Sequence, residues 1–285
     1  MQTANDGPRA STGRLLTLVL ASALAAALPS CQDSDADSPR DTGRTGGPCV
    51  VTIWPGDDDQ SAIQGALLDA VSGDTVCLGA GTFKLEGQLS LATENVTLLG
   101  VSGDAGSVLD FSEQTSGANG ILLSADHDTV EALRILNPKG DGVRATAVDY
   151  PTFRNVHVEW TEGPSETNGG YGLYPVESSH VLIEHSFVSG ASDAGIYVGQ
   201  SRDIVVRDNE VTGNVAGIEI ENSTDAEVYG NHAHGNTGGI LVFNLPGLAV
   251  KDGKRANVHD NEIEDNNLAN FAAEGNIVHD LPAGT

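Results

Sequence analysis

Four segments of this chain repeat at a nearly constant interval, and few folds produce that. Gly172-Leu173-Tyr174-Pro175-Val176, Gly195-Ile196-Tyr197-Val198-Gly199, Gly217-Ile218-Glu219-Ile220-Glu221 and Gly239-Ile240-Leu241-Val242-Phe243 begin 23, 22 and 22 residues apart. Gly142-Val143-Arg144-Ala145 and Gly120-Ile121-Leu122-Leu123 extend the series backwards by steps of 30 and 22. Asn209, Asn231 and Asn261 keep the same beat, as do Asn214, Asn236 and Asn266. A period in the low twenties, with short β-branched segments and Gly/Asn/Asp turns, marks a solenoid of stacked coils. The spaced leucines and helical segment of leucine-rich repeats are missing. The expected fold is therefore all-β, a parallel β-helix with coils of ~22 residues.

Strand geometry assigns the faces. Side chains alternate along a strand, so the first and third positions after each glycine share one face. They read Ile121/Leu123, Val143/Ala145, Leu173/Pro175, Ile196/Val198, Ile218/Ile220 and Ile240/Val242, an aliphatic set that belongs inside. Each fully buried aliphatic side chain contributes about 1.5–3 kcal/mol. The two asparagine series are expected at inward-turning corners, each amide serving the backbone of the neighbouring coil for about 1 kcal/mol net per bond.

The start of the chain reads as something other than fold. Arg9 and Arg14 precede an apolar run over residues 15–28, too short for a stable membrane-spanning helix. It closes on Leu28-Pro29-Ser30-Cys31, which resembles the lipobox of bacterial lipoproteins. That resemblance implies cleavage before Cys31, a lipid on its sulfur, and an envelope location, on the outer membrane or facing the periplasm. Ordinary signal-peptide cleavage and secretion is the alternative. Residues 32–48, rich in Asp, Ser, Gly and Arg, form a flexible tether, and the folded domain occupies 49–285. In an exported protein Cys49 and Cys77 suggest a disulfide, with two buried thiols as the alternative.

The segment Ser61-Ala62-Ile63-Gln64-Gly65-Ala66-Leu67-Leu68-Asp69-Ala70-Val71 is the best helix candidate, with Ser61 as N-cap. Followed by Gly73-Asp74-Thr75-Val76, Gly81-Thr82-Phe83 and Val96-Thr97-Leu98-Leu99-Gly100, it resembles the entry to pectate-lyase-like right-handed β-helices, where a short helix caps the open end of the solenoid. The glycine-led segments are similar to a family of bacterial parallel β-helix repeat proteins in that superfamily. The likeness implies a right-handed fold and an envelope location, and the superfamily suggests polysaccharide lyases, hydrolases and epimerases. Leu281-Pro282-Ala283-Gly284-Thr285 looks like the entry to another coil, so the chain is expected to be a fragment or to close its last coil on a partner or a second copy.

The two long steps point to a site. The extra residues of one fall at about 160–170, before a glycine-led strand, and those of the other at 244–255, after one. Loops at the two borders of one sheet make walls, with its outer side as floor. That floor is expected to show Arg144, Tyr174, Tyr197, Glu219 and Leu241 in one stripe. Glu221, Glu177, Gln200 and Asn222 lie beside it, and Tyr171 and Trp160 lie near. Aromatic rings with charged and amide groups suit sugars, whose faces stack and whose hydroxyls need partners. A uronate lyase or epimerase would use Tyr174 or Tyr197 as base, with Arg144 lowering its pKa and neutralising the enolate. Tyr171-Gly172-Leu173-Tyr174-Pro175-Val176 is distantly similar to the Tyr-Gly-x-Asp-Pro-His string of mannuronan epimerases. Tyr171 matches, while Tyr174 stands at the Asp and Val176 at the His. Glu219 and Glu221, two apart on one strand and so about 7 Å apart, fit an inverting glycosidase, whose carboxyls lie roughly 6.5–9.5 Å apart. A non-catalytic scaffold surface is the other reading.

His232 and His234 are expected to point outward together. In register, Glu210 and Glu262 flank the first, and Thr212 and Glu264 flank the second. Such a patch suits zinc or copper; the Asp/Asn turns suit Ca²⁺. The formal charge of −26, from 14 basic and 40 acidic residues, argues against nucleic acid and against docking on anionic lipid. It also repels polyanionic glycans unless Ca²⁺ or the few arginines bridge them. That leaves a neutral glycan or a calcium-dependent mechanism.

Overall fold

In the computed structural model of the chain the described residues are 48–250 and 252–285. The signal segment, Cys31 and most of the tether lie outside them. One parallel sheet takes one strand from each coil: Gly87–Leu91, Ser116–Leu123, Asp141–Thr146, Tyr171–Val176, Ala194–Gly199, Ala216–Glu221 and Gly238–Phe243. The rest of each coil builds a second sheet in two stacks. In the coil of Thr152–Glu159 one strand runs through both, pairing with Ser179–Glu184 and also with Phe187–Ser189. Later coils turn a corner between the stacks, so the solenoid presents three faces.

The asparagines make that corner. Asn209 donates from its backbone N and its Nδ2 to Asn231 Oδ1, and Asn231 does the same to Asn261 Oδ1. Asn214, Asn236 and Asn266 form a second ladder at the next corner. A serine ladder, absent from the sequence expectations, completes the set: Val148 N, Ser178 N and Ser201 N donate to Ser178, Ser201 and Ser223 Oγ in turn.

The predicted inward residues are buried in all but the last coil, where Ile240 is partly exposed and Val242 is 49% exposed. Gly172 shows why glycine leads each strand: a Cβ there would sit 2.2 Å from Val188 Cγ1 and 2.6 Å from the Gly195 carbonyl oxygen. The helix runs Asp59–Asp69, two residues earlier than expected. Its N-cap is Asp58, whose side chain accepts from Ser61 N. Ile63 and Leu67 close the core. Gln60 and Gln64 hydrogen-bond the edge strand Gly87–Leu91 through Gly87 N, Gln88 O and both backbone groups of Ser90. The edge that would otherwise template another chain is thus paired. Cys49 and Cys77 form the expected disulfide, joining the strand Cys49–Ile53 to its neighbour Thr75–Leu78.

One corner carboxyl makes stability pH-dependent. Asp128 is fully buried; its Oδ1 accepts from Val96 N while Oδ2 has no partner. Burial raises it from 3.8 to about 7, against the pull of that hydrogen bond, with Asp126 and Glu94 adding to the rise. The folded chain therefore keeps this proton where the unfolded chain has lost it. The contribution is complete below pH 3.8 and lost as pH rises through about 7. Thermal melts are expected to show Asp128→Asn more stable than the parent at pH 8 by roughly 1–3 kcal/mol, after allowance for solvent screening. The gap should shrink as pH falls to 5; a gap independent of pH would show that the carboxyl is not protonated in the fold.

Candidate active site on the glycine-led sheet

Each leading glycine and the residue after it both face the core, so strict alternation fails at the start of these strands. The residue before the glycine is thereby turned outward. Two rows result: one holds Asp141 and Tyr171, and the next holds Arg144, Tyr174, Tyr197, Glu219 and Leu241. A third row holds Val176, Gly199, Glu221 and Phe243.

The three tyrosine rings form one cluster, with centroids 4.5 Å (Tyr171–Tyr174), 4.7 Å (Tyr171–Tyr197) and 5.0 Å (Tyr174–Tyr197) apart. The Arg144 guanidinium lies 4.7 Å above the Tyr174 ring and 3.9 Å from Asp141 Oδ2. Gly199 leaves the space into which Tyr197 leans; a Cβ there would sit 2.3 Å from the Tyr197 hydroxyl. That hydroxyl donates to Glu221 Oε2 at 2.7 Å, and Tyr171 OH donates to Asp193 Oδ2 at 3.1 Å. Glu219 is 1% exposed, and its Oε1 and Asp193 Oδ1 have no hydrogen-bond partner.

Charge crowding sets the chemistry. Burial, then Asp193 and Glu221, push the Glu219 carboxyl well above the usual carboxylate range. Burial raises Asp193 too, against hydrogen bonds from Asn276 and Tyr171, and Glu221 raises it further. Asp141 stands at about 6, raised by burial against the pull of Arg144. The tyrosines move the wrong way for a base. Burial raises Tyr171, Tyr174 and Tyr197; Arg144 does lower Tyr174, but burial outweighs it. The expected phenolate base, with Arg144 as the pKa-lowering cation, is therefore not what this geometry provides. The groups poised to hold and release a proton near neutrality are carboxyls.

Of the flanking candidates, Glu177, Gln200 and Asn222 sit in left-handed conformation at the corner after the strand, with φ of 53°, 50° and 44°. Asn222 is fully buried and serves structure, holding the loop through Leu245 N, Leu245 O and Val250 O. Trp160 is a core residue, 5% exposed, whose Nε1 donates to Pro138 O. The two inserted loops lie at opposite borders of the sheet, as the spacing implied. A third segment, 267–283, starts from the same border as the first. Beyond it, Gly284 N donates to Thr237 O and Gly239 N to Thr285 O, the bonding of a next parallel strand, as expected from Leu281-Pro282-Ala283-Gly284-Thr285. Ala272 and Val278 of this segment pack on Val215, and Asn276 reaches Asp193.

His232 and His234 do project outward, on the third face, but the carboxylates reach them diagonally. His234 meets Glu210 and His232 meets Glu264. Among the described residues, the two groups of three converging imidazole or carboxylate ligand atoms both include His232.

Asp141 and Asp193 are the site residues that the sequence reasoning missed. Their signal was position: Asp141 stands directly before its leading glycine, in the slot that the irregularity turns outward, and Asp193 stands one residue earlier, just ahead of the strand Ala194–Gly199.

Residues 119–280, more than half of the chain, match the family model described as right handed beta helix region. No curated protein matches the chain. Among solved structures it is similar to a polygalacturonase from Erwinia carotovora ssp. carotovora, at 15% identity over 76% of this chain and 84% of that one, with a TM-score of 0.49. An alginate lyase from Paenibacillus sp. str. FPU-7 matches at 16% identity over 78% and 99% of the two chains, TM-score 0.42. The A-module of an Azotobacter vinelandii mannuronan C-5 epimerase matches at 16% over 67% and 73%, TM-score 0.38. With its stacked parallel coils and the match over 119–280, the chain belongs to the right-handed β-helix family.

Proposed function

We propose that the outer face of the glycine-led sheet binds a glycan and cleaves it by carboxyl acid–base chemistry. The observation that carries this is Glu219: a carboxyl 1% exposed, with an unpartnered oxygen, crowded by Asp193 and Glu221 and neighbouring Tyr171 and Tyr197. Such an arrangement destabilises a fold, and perturbed carboxyls of this kind mark reaction sites. Glu219, held protonated, is the general acid toward a glycosidic oxygen. Glu221, two residues on and about 7 Å away along the strand, accepts from Tyr197 and is the base for water, a spacing suited to inversion. Tyr171 and Tyr174, partly exposed, offer ring faces for a sugar, and Arg144 offers donors for its hydroxyls or a carboxylate. The acidic surface favours a neutral or sparsely charged glycan. The Cys49–Cys77 disulfide supports an oxidising compartment outside the cytoplasm, in keeping with the exported, lipid-anchored envelope protein we propose.

A depolymerisation screen over neutral and acidic glycans, with and without Ca²⁺, tests this. New reducing ends without absorbance at the ultraviolet edge are expected. An unsaturated, absorbing product would replace hydrolysis by elimination. Binding without turnover would make the groove a glycan-recognition surface, and silence on every glycan would favour a scaffold.

A further inference from the structure

The third face of the solenoid carries two imidazoles that the groove does not use. Ala233, between His232 and His234, is fully buried, so both rings project outward from the strand His232–His234. They stack with centroids 4.2 Å apart. Neighbouring coils bring carboxylates to them. Glu210 Oε1 lies 3.1 Å from His234 Nε2, and Glu264 Oε1 lies 3.3 Å from His232 Nε2. One ligand atom from each of Glu210, His232 and His234 lies within 4.8 Å of the others; His232, Glu262 and Glu264 form an overlapping set.

We propose that Glu210, His232 and His234 form a site for a divalent transition-metal ion, with Zn²⁺ the ion its donors suit. Two imidazoles and one carboxylate are a zinc set, leaving a fourth tetrahedral position for water. Bonds of about 2.0–2.2 Å place the ligand atoms of a tetrahedron roughly 3.4 Å apart, so the side chains close by about an ångström. The backbone needs no change. The strand is paired in register on both sides, Glu210 to His232 and His232 to Glu262, and only partly exposed rotamers have to settle. Glu264 meets His232 at Nε2 from the following coil, so His232 ligates through Nδ1 while the carboxylate orients the ring. Mg²⁺ and Ca²⁺ prefer oxygen sets and are not the ions for this patch.

The competing arrangement is a surface ion-pair lattice between carboxylates and protonated imidazoles, which would bind no metal. Calorimetric titration of chelator-treated protein with Zn²⁺, paired with Co²⁺ absorption spectra, separates the two. Saturable binding of one ion per chain is expected, with the visible bands of tetrahedral Co²⁺. His232→Ala and His234→Ala should each weaken it by at least about tenfold, Glu210→Gln by a similar factor, and Glu262→Gln by much less. Both histidines are at the surface, and circular dichroism confirms that the variants remain folded. Absence of binding overturns the proposal, as does full affinity in the folded double histidine variant. A loss confined to Glu262→Gln would overturn this ligand set in favour of the overlapping one.

Discussion

Glu219→Gln is expected to cut turnover by about 10²–10⁴-fold, the range for removing a general acid, and to raise thermal stability at pH 8. The two effects have one cause. Glu219 must be protonated to donate, and burial beside Asp193 and Glu221 keeps it so. The same crowding costs folding energy once pH rises and the unfolded chain can ionise freely. Glutamine keeps the shape, cannot release the proton, and relieves the crowding. Activity of the parent should fall as pH rises and Glu219 ionises. Glu219→Gln with parental turnover would remove Glu219 from the chemistry. Loss of both activity and stability would make it a structural residue instead.

Asn236→Ala is expected to lower unfolding free energy by about 3–5 kcal/mol, several times an ordinary surface substitution. Its Oδ1 accepts from Asn214 N and Nδ2, and its Nδ2 donates to Val211 O and Asn266 Oδ1. Asn236 and Asn214 are both fully buried. Truncation therefore strands an amide N–H and a carbonyl where water does not enter, and each such group costs about 1–3 kcal/mol. Asn236→Asp should be worse at neutral pH, because it buries a charge that cannot donate to Val211. Chemical denaturation reads both; a loss under 1 kcal/mol would mean the corner admits water.

The solenoid was legible because a coil repeat writes itself into the chain many times. The period, the aliphatic pairs after each glycine, the asparagine ladders and the inserted loops all follow from that repetition. The site was legible in part. Arg144, Tyr174, Tyr197, Glu219 and Glu221 lie on one outer face as spacing required, because strand parity carries over from one coil to the next. Asp141 escaped because parity breaks at the leading glycine, and the break arises from close packing such as that of Gly172 on Val188; Asp193 escaped because it lies ahead of its strand, where parity does not apply. The direction of the tyrosine pKa shifts escaped as well. It depends on burial depth, which a one-dimensional pattern does not carry. The diagonal approach of Glu210 to His234 is a rotamer choice and leaves no trace in register. Trp160, expected near the floor because it opens the inserted loop, is instead a core residue.

Coils of 22 and 30 residues pair in the same register here: Ile218 meets Ile240 across a short coil, and Val143 meets Leu173 across a long one. Position in this molecule is thus an angle around the solenoid axis, and residue number is only a loose clock for it. Extra length added at a corner changes the angle of nothing downstream. The walls of the groove can be lengthened, shortened or exchanged while the floor keeps its phase, so specificity and scaffold can vary as separate quantities within one chain.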